Sequence, residues 1–113
     1  MSPLGDQGGS VNQLIISCEA ETPFKKGDPV VFSQNYKVRN RSGFLFGQAM
    51  SDAEEFQVFP VRVKGICRFE VSDTPSLLIN KWRVDDKGKL VSDLTGKEVM
   101  VLYHKENRLD ILL

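Results

Sequence analysis

Apolar residues recur at every second position over much of this chain, which is the period of a half-buried β-strand. Leu14, Ile16, Cys18 and Ala20 share one face of the segment 13–20, opposite Gln13, Ser17 and Glu19. Pro23 and Pro29 then interrupt the alternation, with the turn chemistry of Lys26-Gly27-Asp28 between them. Short strands are predicted over 30–32 and 36–39, after which Asn40-Arg41-Ser42-Gly43 turns the chain into a strand over 44–49. The acidic stretch 51–55 reads as a loop or a single helical turn. The longest strand signal covers 56–71, with Val61, Val63, Gly65, Cys67, Phe69 and Val71 on one face and Arg62, Lys64, Arg68 and Glu70 on the other. Within it Pro60 points to an edge position or a bulge, and Gly65 to a bulge or a sharp bend such as a barrel corner makes.

Further along, Asp73-Thr74-Pro75 has the make-up of a capped helical turn. Strands over 82–84 and 89–91 flank Asp85-Asp86-Lys87-Gly88, a hairpin with Gly88 at a left-handed position. Residues 99–103 are apolar on both faces and read as a central strand, while Glu106-Asn107 turns into 109–113 with Leu109, Ile111 and Leu113 inward. About eight or nine short strands, with turn signals roughly every 8–12 residues and no long helix, predict an all-β domain. The expected form is a small antiparallel β-barrel or a jelly-roll-like sandwich. Residues 1–12 stand apart, being rich in Gly, Pro and Ser with Leu4 isolated and nothing periodic to bury. They predict a flexible N-terminal arm ahead of a domain over 13–113.

A chain of 113 residues is sized for one domain around one hydrophobic core. Fifteen Lys and Arg cancel fifteen Asp and Glu, which excludes a general polyanion-coating protein, because such affinity comes from net phosphate neutralisation. No apolar run approaches the ~20 residues of a membrane span, so no membrane partner is expected. The first ten residues lack the basic and apolar regions of a secretory signal, which predicts a soluble protein made inside the cell. Cys18 and Cys67 have no metal-ligand spacing and fall inside apolar alternations, so they are expected to be buried free thiols.

Candidate chemistry is sparse. His104 ends an apolar segment and reads as a surface imidazole, with no acid and nucleophile at a recognisable spacing. A zinc site needs about four clustered ligands, which this composition does not supply. Gly96-Lys97 is followed by Glu98, with Val91 where a phosphate loop needs its first glycine; Gly88-Lys89 is followed by Leu90, with Arg83 there. The pairs Glu54-Glu55 and Asp85-Asp86 fall in loops. No enzyme, no cofactor and no metal are therefore expected. One basic and aromatic stretch, Lys25, Lys26, Lys37, Arg39 and Arg41 interleaved with Phe24, Tyr36, Phe44 and Phe46, has the make-up of a surface that holds single-stranded nucleic acid. Asp52, Glu54 and Glu55 follow at once, and opposite charges side by side suit docking to a protein better than tracking a polyanion. A small nucleic-acid-binding β-barrel remains the alternative.

The order of motifs resembles the small capsid cement, or decoration, proteins of tailed bacteriophages, a family often labelled RecA/RadA-family phage recombinase. The residues that carry it are Gly27-Asp28-Pro29-Val30-Val31, Phe46-Gly47-Gln48-Ala49, Val63-Lys64-Gly65-Ile66-Cys67-Arg68-Phe69-Glu70-Val71, Lys81-Trp82-Arg83-Val84-Asp85 and Gly88-Lys89-Leu90. The match runs from about 14 to 113, and Ile79-Asn80 stands where similar proteins have Gly-Asp. The resemblance implies a β-barrel or jelly-roll-like domain, a homodimer or homotrimer, on the outer surface of the virion. There it would clamp neighbouring major capsid protein subunits together after synthesis in the host cytoplasm. Such a task needs a rigid domain, an extended arm or strand edge, and many copies acting together. The arm is the expected contact, with Pro3, Leu4, Val11 and Asn12 against the coat, and the face bearing Arg62, Lys64 and Arg68 is the second candidate. The failed phosphate-loop spacing gives the recombinase label no support.

Overall fold

A computed structural model describes residues 12–72 and 80–113. Among these residues the chain forms twelve strands and no helix, more and shorter strands than the periodicity suggests. Five strands close a barrel: β1 (Leu14–Ala20), β2 (Pro29–Gln34), β3 (Lys37–Arg39), β5 (Gly47–Ala49) and β6 (Val58–Lys64), in the order β1-β3-β2-β5-β6. A second sheet centres on β8 (Lys81–Val84), which pairs with β4 (Gly43–Phe44), β9 (Leu90–Ser92) and β10 (Lys97–Glu98). A third places β12 (Arg108–Leu112) between β7 (Ile66–Glu70) and β11 (Met100–Lys105). The fold is all-β, as expected, and every named strand pair is antiparallel except β1 with β3, where Glu19 meets Lys37 and Ala20 meets Val38.

The long signal over 56–71 is one ribbon bent at Gly65, whose φ of 119° lies in the region that favours glycine. Its first half, β6, closes the barrel against β1 and β5; its second half, β7, leaves for the third sheet. The bend is held from both sides. Gly65 exchanges backbone hydrogen bonds of 3.2 and 2.9 Å with Leu113, and a Cβ there would sit 2.9 Å from the Cβ of Gln13. Pro60 does not mark an edge, because β6 is paired on both sides. Its carbonyl accepts from the N–H of Met50, so its missing N–H faces the side on which β5 has just ended.

Two hydrophobic cores form where the chain length led us to expect one. Cys18, Ala20, Phe24, Val30, Val38, Phe59 and Val61 fill the barrel. Trp82, Leu45, Cys67, Phe69, Val84, Leu109 and Ile111 fill the space between the other sheets. Strand β2 is their common wall: Val30 enters the barrel and Val31 the second core, because successive side chains of a strand point to opposite faces. The stretch 44–49 divides for the same reason. Leu45 packs in the second core and Phe46 against the barrel core, so a single strand becomes β4 in one sheet and β5 in another. Side-chain amides fasten the two parts: half-buried Asn40 donates to the carbonyls of Pro29 and Gly88 at 2.8 and 3.2 Å, and buried Gln48 donates to those of Gly27 and Arg68.

The hairpin around Gly88 forms, with φ of 80° at that glycine. Residues 51–55 make a loop pinned by a bridge between Ala53 and Phe24. Cys18 and Cys67 are free and buried, one in each core. The turn expected at Asp73-Thr74-Pro75 and the arm up to Val11 lie outside the described residues, and Asn12 is exposed ahead of β1.

The segment 99–103 corrects the sequence reading most. It is not central: β11 is the edge of its sheet, with Met100 61% and Leu102 48% exposed. A register slip between Val101 and Tyr103 sets Leu102 out of the ladder, so Val101 and His104 both face inward although three positions apart. His104 is accordingly not a plain surface imidazole. It is half-buried, with its ring edge-on to Trp82 at 5.3 Å.

Candidate interaction surface

The outer face of the three-stranded sheet is ordered in rows by the ladder of β11, β12 and β7. Met100, Leu112 and Ile66 pair across it as an apolar row; Tyr103, Asp110 and Arg68 form the next; Lys105, Arg108 and Glu70 form the last. The alternate residues Ile111, Cys67, Leu109 and Phe69 are buried beneath. Polarity thus grades from apolar to charged along strands only a few residues long.

Asp110 organises the middle row. Its Oδ1 accepts from Arg68 Nε at 3.1 Å and Arg108 Nε at 3.2 Å, and its Oδ2 from Arg108 Nη2 at 2.8 Å. The carboxylate side chain is 11% exposed, against 64% for Arg68 and 45% for Arg108. The Arg108 hydrogen bond holds the Asp110 carboxyl below the usual carboxylate range, against the opposing effect of burial, and Arg68 adds to it. The Arg108 guanidinium also lies 4.4 Å over the Tyr103 ring, a cation–π contact that fixes its plane. Beside this face the loop at 26–29 and the turn at 88–90 rise to form a cleft of about 730 Å³.

The residues singled out in the sequence are dispersed. Arg62 and Lys64 lie on β6, before the bend, and Arg68 on β7 after it. Arg62 Nη1 spans the bend to the Ile66 carbonyl at 2.9 Å. Pro3, Leu4 and Val11 are outside the described residues. In the basic and aromatic stretch, Phe24 is barrel core and Phe46 is packed against it. Tyr36 is 66% exposed in the β2–β3 turn, where it and Asn35 adopt left-handed φ of 62° and 50°. Lys37 sits on β3 opposite Glu19, and Arg39 is spent on bracing the next turn, donating to the Arg41 and Ser42 carbonyls. Phe44 pairs with β8 at Arg83, whose Nε bonds Asp93 at 2.8 Å. Lys25 and Lys26 belong to the loop at the Phe24 bridge, where their backbone N–H groups bond Asp28 and Asp52. Lys26 alone of that stretch lines the cleft with Arg68. Sequence reasoning missed Arg108, Asp110 and Tyr103, because their meeting depends on the Leu102 slip and on β12 lying between β7 and β11.

A closed five-stranded barrel with two small sheets over a second core defines the structural class. A solved structure shares it: the N base of the head fiber gp8.5 in bacteriophage phi29, at a TM-score of 0.61 and 10% identity, over 90% of this chain and 94% of that one. At that identity the likeness is one of fold. No family model matches the chain, and no curated protein matches it.

Proposed function

We propose that this chain is a structural component of a phage virion, a capsid decoration protein that docks on the outside of the head and braces neighbouring major capsid subunits. The fold shared over 90% of the chain with a head fiber base carries the reading. The exposed apolar row and the edge of β11, unpaired among the described residues, support it, since an apolar edge strand is a ready partner for another chain. In this reading the protein catalyses nothing and takes no cofactor. It assembles with copies of itself as a dimer or trimer, and the arm at 1–12 adds a second contact to the coat.

Co-sedimentation with expanded heads lacking the protein, with naked DNA as a parallel partner, tests this. Saturation at a fixed number of copies per coat subunit, without DNA binding, is expected. Salt-sensitive DNA binding without head binding would instead favour a nucleic-acid-binding barrel.

A further inference from the structure

We propose that the cleft beside the three-stranded sheet binds an acidic peptide segment of a partner protein, with Arg68 and Arg108 receiving its carboxylates. The assignment goes beyond head docking and stands without it.

The site is pre-positioned. Two guanidiniums share the single carboxylate of Asp110, so the cluster carries an excess positive charge. Each guanidinium has five N–H donors, of which Arg68 uses one on Asp110 and Arg108 two. The remaining donors belong to partly exposed side chains lining the cleft, already held in plane by Asp110 and Tyr103. A rigid fork loses less freedom on engaging a carboxylate than a free arginine does. Lys26, Lys89 and Lys105 line the same cleft and form no salt bridge among the described residues.

Charge also selects the class of occupant. Asp28, Glu70 and Glu106 share the lining, so the positive excess is small once Asp110 is counted. One or two carboxylates fit that balance, while a continuous phosphate backbone would be repelled at each acid. Tyr103 and Lys105, on β11, line the cleft beside Arg108.

The full chain would be titrated calorimetrically, at low salt, with a capped hexapeptide carrying two adjacent glutamates among serines, and in parallel with a short oligothymidylate and inorganic phosphate. Saturable peptide binding is expected, weakened about tenfold or more by Lys26→Ala/Lys89→Ala/Lys105→Ala. Because Arg108→Gln leaves a nearly buried carboxylate short of a partner and endangers the fold, the exposed lysines carry the test. Lys64→Ala/Lys97→Ala, which removes charge outside the cleft, should leave binding nearly unchanged. No peptide saturation, an equal loss in both variants, or tighter binding of oligothymidylate or phosphate would overturn the assignment. Heads bound equally well by the triple variant would leave docking intact through another surface. Peptide binding by a protein that ignores heads would do the reverse.

Discussion

Asp110 ties the chemistry of the surface to stability. Its carboxyl ionises below the usual range because the ion is favoured by the Arg108 hydrogen bond and then by Arg68, against the opposing penalty of burial. A depressed folded value means that the unfolded chain binds the proton more readily. The stabilisation is therefore complete above the unfolded carboxylate value, about pH 4, and is lost as pH falls through the folded value. Carboxyl NMR titration should place Asp110 below an unstructured aspartate, and Arg108→Lys, which loses the two-point hydrogen bond but keeps the charge, should move it upward. An unmoved Asp110 would show that the arginine does not set it. None of this was legible in the sequence, where Asp110 sits in an inward-facing alternation and Arg108 beside a turn. The cysteines were legible, because apolar alternation alone predicts where a small thiol is buried. Burial pushes the Cys67 thiol up to about 11, opposed by nearby Arg62, and so keeps it protonated at neutral pH.

Bends, more than strands, decide how the elements are shared between sheets. Gly65 and Gly27 both have left-handed φ, at 119° and 95°, but only Gly65 faces a close neighbour in the space a Cβ would take. Gly27→Ala should cost about 1 kcal/mol in urea unfolding, from backbone conformation alone. Gly65→Ala should cost more, roughly 1–3 kcal/mol, because the root of β1 must also move. Equal losses would mean that Gln13 yields freely. At this scale the sequence announced the bend, since a glycine inside a period-two run has few other uses. It did not announce the splitting of 44–49 or the edge position of 99–103. Apolar residues on both faces mean burial on both faces only when the register is unbroken, and the slip at Leu102 breaks it.

The whole molecule has two cores and one wall between them. With Val30 in one and Val31 in the other, β2 cannot leave either core without opening both. Unfolding should therefore be a single transition, with Trp82 fluorescence, which reports the second core, coinciding with far-UV circular dichroism. Val30→Ala, which empties part of the barrel, should shift both curves together. A barrel that melts apart from the Trp82 signal would show that β2 does not couple them. The all-β class was legible from periodicity, but two cores were not, since alternation tells which side chains face inward and not which interior they enter.

The order of the three-stranded sheet also bears on how the protein is made. Strand β12 lies between β7 and β11 but follows both in the chain. A ribosome therefore delivers the two outer strands first, and β11, with its apolar side chains, emerges before its neighbour β12 exists. The nascent chain must keep that strand from other partners until the Glu106-Asn107 turn brings β12 back into the gap. A stall in translation within that interval would expose the protein to misassembly, whereas one soon after β6 would find the barrel strands already synthesised.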